Sequence, residues 1–408
     1  MKRGAEWHVL TLTTLGLTAF GLVMVYSATS ASAAIGGANP MSYLERQGTF
    51  AVLGLAGMIL ATRFEYGRLR ALAPAFVLVA LALCAAVLVV ATPVNGARRW
   101  IGFGPAAFQP SELAKLALAF WVAAYLTRKD APSSLQELWR PIGVLVGLFC
   151  ALILVEPDLG TTIAICVMVG AVLLVAGTPL RTLGSGIAIA ATLGLLAVWV
   201  EPYRRARVFS FLNPWNDAQG AGFQTVQAQI GLGSGGLFGD GLGQGVQKIH
   251  YLPEAHTDMI FAVIGEELGL LGTTALIAAY AAFAWAGLKV ALECKDPFGK
   301  RLAAGLTALV CGQAAINLAA VLGLAPLTGI PLPFVSYGGS SLVVELVAVG
   351  VLLNIAGGGR AAAQVSRRGR GNGRPRAAGA GGRGRAAGAG RPRDLRRVAG
   401  SRRSAARS

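Results

Sequence analysis

The stretch "YLPEAHTDMIFAVIGEELGLLG", from Tyr251 to Gly272, sets Glu254, His256 and Asp258 at the mouth of an apolar run and Glu266 and Glu267 inside it. A carboxylate can take a proton as a general base, or hold a charged partner. An ionisable group inside hydrocarbon costs roughly 2.5–3.5 kcal/mol on insertion scales, so each such residue calls for a partner or a task. Others fall in groups. "QPSELAKLA" places Glu112 and Lys115 three apart on one helical face, and "VEPDLGTT" puts Glu156 and Asp158 at a corner between two apolar runs. Arg98 and Arg99 stand beside Trp100, and Glu345 follows "PLPFVSYGGSS", whose small residues include Ser336 and Ser340. Basic side chains and the N–H groups of a small-residue helix start both suit a phosphate oxygen.

Each group also has a plainer role open to it. Internal ion pairs that hold helices together account equally for Glu112, Lys115, Glu266, Glu267 and Glu345. Gly338 and Gly339 serve close helix packing as well as phosphate binding. Asp258 differs because it lies at the water edge beside a long loop; capping the following helix is its alternative. Glu266 and Glu267 lie about 12 Å deeper at 1.5 Å per residue, too deep for that chemistry, while Glu254 and His256 shape the mouth. His250 and His256 lack the spacing of a zinc site, which leaves a divalent cation shared between carboxylates and a substrate phosphate. Gly231-x-Gly233-x-x-Gly236 is a formal dinucleotide fingerprint with no strand before it. Its glycines read as turns that fold the loop back against the membrane mouth.

The elements that must position these residues are transmembrane helices. Of 408 residues, 54% are hydrophobic and 13% charged, far from the soluble balance of about a quarter charged. Apolar windows predict about ten helices, near 8–27, 46–63, 71–92, 110–127, 141–156, 160–177, 183–200, 259–288, 302–323 and 340–357. The fold class is an all-α polytopic membrane protein with a large extracytoplasmic loop, about 201–258, between helices 7 and 8. "RFEYGRLR", "TRKD", "LWR", "TPLR" and "KDPFGKR" then all fall in the cytoplasm with both termini, as the positive-inside rule requires. Arg98-Arg99 on the far side breaks the rule and suggests an anionic ligand or a structural ion pair. This topology sends Glu112, Asp158, Asp258 and the "SYGGSS" turn to one outer side.

The net charge of +17 sits mostly in the tail, where fifteen Arg and one Asp follow from Arg360 onward. Residues 359–408 are low-complexity Gly/Ala/Arg, expected to be disordered and held near anionic membrane lipids, with no nucleic acid as partner. Cys84, Cys150, Cys166, Cys294 and Cys311 have no pairing pattern and read as packing residues. Met1-Lys2-Arg3 and the run after it read as an uncleaved first helix.

"QPSELAKLA", "EPDLGTT", "FLNPW", "GLGQGVQKIHYLPEAHTDMIFAVIGEELGLLG" and "PLPFVSYGGSS" resemble, in order and over nearly all of residues 8–357, the shape, elongation, division and sporulation (SEDS) family. "YLPEAHTD" with "IGEELG" looks more like the division branch than the elongation branch. The resemblance implies that residues 1–358 form a peptidoglycan glycosyltransferase of the cytoplasmic membrane, acting at the division septum. It would polymerise lipid II outside the membrane and invert the anomeric centre to give β-1,4 glycan. A class B penicillin-binding protein and other divisome proteins are the implied partners. No nucleotide is implied, and Mg²⁺ or Mn²⁺ is the candidate cofactor. The family's essential acidic residue matches Asp258, here expected to be the general base; its polar positions match Glu112, Lys115 and Asp158. Lys115, Arg98 and Arg99 are the expected pyrophosphate partners. A lipid II flippase, a non-catalytic scaffold for the transpeptidase, and an elongation-type polymerase are the competing readings.

Overall fold

The computed structural model describes residues 4–35, 39–93, 97–102, 107–249 and 252–358. The chain divides into two units, Met1–Gln364 and Val365–Ser408. The Arg-rich tail, His250 and the first three residues lie outside the described residues.

Helix α1 (Ala5–Ile35) is followed by α2 (Ser42–Arg63), α3 (Tyr66–Val90) and α4 (Pro110–Arg128). A short α5 (Leu135–Leu138) runs through a π-turn, Trp139–Gly143, into α6 (Val144–Val155), and then come α7 (Leu159–Ala176) and α8 (Leu180–Val200). The long connection carries two helices of its own, α9 (Pro202–Leu212) and α10 (Phe223–Ser234), before α11 (Ile260–Glu293), α12 (Pro297–Val321) and α13 (Gly339–Ala356). Strand pairing is confined to isolated bridges such as Ile101 with Phe108 among the described residues.

Eight helical segments are long and apolar enough to cross a membrane among the described residues. Helices α2 and α4, 22 and 19 residues long, have spanning length but hold more charge. They are part of the bundle nonetheless, α2 packed against α13 and α4 against α3 and α12. Every apolar window read from the sequence therefore falls on a helix, and the chain is an all-α, multi-pass membrane protein. Its centre is α13, 78% of whose most apolar stretch is buried; its edge is α8, where none is. Without a hydrophobic drive between helices in lipid, close packing must hold them. At the α2–α13 crossing, a Cβ on Gly350 would stand 2.4 Å from the Met58 carbonyl oxygen, so only glycine permits the approach.

The sequence predicts an unbroken eighth span, but α11 is interrupted at Gly269, whose φ of 63° and ψ of −160° leave the helical region. At membrane depth, the backbone groups freed by a break must find partners inside the protein. The glycine-rich stretch after α10 supplies them. The N–H groups of Asp240 and Gly241 donate to the Glu266 and Glu267 carbonyls, each at 3.0 Å. In return, the N–H groups of Leu270 and Leu271 donate to the carbonyls of Gly236 and Leu237 at 2.9 and 3.2 Å. Contact is so close that a Cβ on Gly239 would fall 2.2 Å from the Glu267 carbonyl oxygen. The formal dinucleotide fingerprint thus ends in a backbone patch that mends a broken helix.

Candidate functional site

Because the spans alternate in direction, α4, α7, α11 and α13 begin, and α3, α6 and α12 finish, at one end of the bundle. Side chains at that end join these helix ends directly. Asp158 caps α7: its Oδ1 accepts from the Thr161 N–H at 2.9 Å and its Oδ2 from the Thr161 hydroxyl at 2.8 Å. The Gln109 amide also donates to Oδ2 at 3.0 Å, while the Gln109 N–H donates to the Ser340 hydroxyl at 3.4 Å. One glutamine before α4 therefore ties the start of α7 to the start of α13. In the neighbouring turn, the Ser336 hydroxyl accepts from the Leu332 N–H at 2.8 Å, and Gln47 of α2 donates to the Ser336 carbonyl at 3.1 Å.

Asp258 is 9% exposed and is not a helix cap. Met259 holds the cap position of α11 and no side chain bonds there, so the Asp258 carboxylate is not committed to capping. Its Oδ1 accepts from the Thr257 hydroxyl at 3.3 Å. Asn317 of α12 fixes the backbone, donating to both the Asp258 and the Ile330 carbonyl at 2.8 Å. Burial pushes the Asp258 carboxyl up to about 6; the Arg207 charge pulls it down and Glu254 pushes it up. A carboxyl poised there is a competent base near neutral pH.

Glu254 is exposed, with a φ of 55°, and accepts from the Thr257 hydroxyl at 3.2 Å. His256 packs edge-on to Tyr43, with ring centroids 4.9 Å apart, and its carbonyl accepts from the Tyr337 N–H at 2.8 Å. Burial lowers the His256 pKa, opposed by Glu254. The mouth is in this way stitched to α2 and to the turn before α13.

Below the mouth lies a buried polar chain. The Lys115 ammonium donates to Glu112 and to Gln313, each at 2.9 Å. Gln313 donates to Glu345 at 3.3 Å, and Glu345 also accepts from the Ser341 hydroxyl at 3.1 Å and the Phe334 N–H at 3.2 Å. Lys115, Glu112, Gln313 and Glu345 are each at most 3% exposed. On α11, Glu266 accepts from the N–H groups of Val246 and Gln247 at 2.7 and 3.1 Å. Glu267 pairs with Lys248 at 2.6 Å and accepts from the Ser27 hydroxyl of α1 at 2.7 Å.

Arg99 donates to the Glu156 carbonyl at 2.7 Å and to the Pro157 carbonyl, clamping the α6–α7 corner. Arg98 is exposed and donates to the Leu88 carbonyl at 3.1 Å. Inside that corner the Glu156 carboxyl is fully buried, and burial with Asp158 beside it raises it to about 8 against the pull of Arg99. Among the described residues, no three His, Cys, Asp or Glu side chains are grouped to hold a metal ion.

Residues 8–360 match the family model described as cell cycle protein, FtsW/RodA/SpoVE. The chain belongs to this family. A relative from Geobacter metallireducens, named "Probable peptidoglycan glycosyltransferase FtsW", is 42% identical over 85% of this chain and 94% of its own length. Stage V sporulation protein E of Bacillus subtilis is 39% identical over 87% of this chain and 98% of its own. A solved chain from a peptidoglycan synthase complex that coordinates polymerization and crosslinking is 31% identical, with a TM-score of 0.69, over 85% of this chain and 96% of that one.

In this FtsW/RodA/SpoVE family member, the structure adds polar residues that the sequence did not single out. Gln109, Gln313 and Asn317 are uncharged, so no charge in an apolar run marks them. Arg207 lies in a loop segment already rich in basic residues, where one arginine has no local signal to set it apart.

Proposed function

We propose that this chain is a peptidoglycan glycosyltransferase of the division type that polymerises lipid II at the outer face of the cytoplasmic membrane. The observation that carries the reading is Asp258: a nearly buried carboxylate, raised to about 6 and not spent on a helix cap, at the end where most of the span termini are cross-linked. The names of the relatives support the activity. Arg63, Arg128 and Lys300 stand at the opposite end of the bundle, which supports a cytoplasmic placement for that end, with both chain termini inside. The related solved complex pairs polymerization with crosslinking, which supports a class B penicillin-binding protein as partner, and the FtsW names of the relatives support the division septum as the place of action.

In the reaction, Asp258 takes the proton from the acceptor sugar's 4-hydroxyl as its oxygen bonds to the donor's anomeric carbon. The bond from that carbon to the diphosphate breaks on the opposite side, so an α-linked donor gives a β-1,4 glycan. Asp158 and Gln109 position the α7 and α13 starts, and the Lys115 chain fixes α4 against α12 and α13 beneath them. The polyprenyl tail stays in the bilayer throughout, which is why a reacting carboxylate belongs at a membrane edge.

The test is the purified chain with its transpeptidase in liposomes holding labelled lipid II. Glycan polymer on the outer leaflet is the expected product. Transbilayer movement of lipid II without polymer would show a flippase instead.

A further inference from the structure

A departing diphosphate needs a cation near the base, because attack and departure occur on opposite sides of one carbon atom. The three cations expected from the sequence make their bonds at other places in the bundle. Lys115 is 1% exposed and neutralised by Glu112, Arg99 clamps two carbonyls of the α6–α7 corner, and Arg98 bonds to the end of α3.

Helix α9 brings a different cation to the mouth. Arg204, Arg207 and Ser210 recur every three residues, on one face. Arg204 pins that face to the bundle, donating to the Ala197 carbonyl of α8 at 3.2 Å and to the Leu154 carbonyl of α6. Ser210 is buried and donates to the Arg207 carbonyl at 3.0 Å. Between them, Arg207 reaches inward and donates to the Leu327 carbonyl at 3.2 Å. Two residues further on is Gly329, exposed, with a φ of +74°. A Cβ there would stand 3.8 Å from Arg207 Nη1 and 3.9 Å from Asp258 Oδ2. A guanidinium and a carboxylate oxygen thus both border one exposed glycine.

We propose that Arg207 receives the diphosphate of the lipid-linked donor, at the exposed Gly329 that it borders together with Asp258. This rests on reading the mouth as a glycosyl-transfer centre. The acceptor oxygen gives its proton to Asp258 and bonds to the anomeric carbon. The electron pair of the breaking carbon–oxygen bond leaves on the diphosphate, and its charge meets the planar fork of Arg207. The charges that act on Asp258 are Arg207 from α9 and Glu254 from its own loop; Thr257 and Asn317 contact it uncharged.

The experiment uses the full chain with its transpeptidase and labelled lipid II, scoring kcat, KM and the pH profile of polymerisation. Arg207→Met lowers kcat by about 100-fold. It also moves the acid limb to higher pH, because removing a positive charge leaves burial and Glu254 to hold the proton on Asp258. Arg207→Lys keeps the acid limb near its wild-type position but loses the fork, and falls about 10-fold in kcat. Arg205→Gln, on the exposed side of α9, turns over as wild type. Wild-type kcat and an unmoved acid limb in Arg207→Met would overturn the proposal. If Arg207→Met fails to fold, wild-type kcat in Arg207→Lys overturns it. Loss of activity in Asp258→Asn beside a normal Arg207→Met would sink this assignment and leave the glycosyltransferase reading standing; a wild-type chain that makes no polymer would sink both.

Discussion

At the scale of single residues, Asp258 sets burial against charge. Its folded value of about 6 lies above the ordinary 3.8, so its contribution to stability is full below about pH 4 and is lost as pH rises through about 6. In the ionised form near neutral pH, the burial costs the fold on the order of 3 kcal/mol. Asp258→Asn therefore raises the thermal midpoint of the detergent-purified protein near neutral pH and leaves it unchanged near pH 4; an effect equal at both pH values would contradict this. Polymerisation by the wild type falls as the pH drops through about 6, where the base takes up its proton. Asp258 was legible in the sequence because a carboxylate at the mouth of an apolar run is conspicuous. Arg207 was not, since only folding brings it beside Asp258, where both side chains border Gly329.

At the scale of elements, α11 and the glycine-rich loop form one unit. Gly269 sits in a backbone region open essentially to glycine alone, and a Cβ there would meet Gly239 N at 2.5 Å and the Leu237 carbonyl at 2.7 Å. Gly269→Ala is expected to release the loop from the break, seen as faster proteolysis between α10 and α11 and a lower thermal midpoint; unchanged proteolysis would argue against the patch. The Lys248–Glu267 pair holds the same loop, with both side chains at most 1% exposed. Lys248→Met leaves a buried carboxylate without its cation and costs about 3–5 kcal/mol, and adding Glu267→Gln recovers much of the loss. Equal destabilisation in single and double variants would show that the pair acts through packing instead. The break itself was not legible, because the apolar run continues on both sides of Gly269 and glycine is common within spans.

At the scale of the whole molecule, the spans were legible because length and apolarity are local properties. Helices α2 and α4 were found even though charge makes them poor spans on apolarity alone. What the windows did not contain is the cross-linking of span ends by Gln109, Gln313 and Asn317, since neutral amides leave no trace in a hydropathy profile. The orientation predicts that, in a cysteine-free background, Glu254→Cys reacts with a membrane-impermeant maleimide on intact spheroplasts. Arg128→Cys would react only after permeabilisation, and the reverse order would invert the topology.

The most direct measurement is glycan polymerisation from labelled lipid II by the purified chain bound to its transpeptidase, comparing wild type with Asp258→Asn. The expected result is that Asp258→Asn stays folded and partner-bound yet makes no polymer above background. Polymerisation at the wild-type rate by that variant would contradict the assignment of Asp258 as the base.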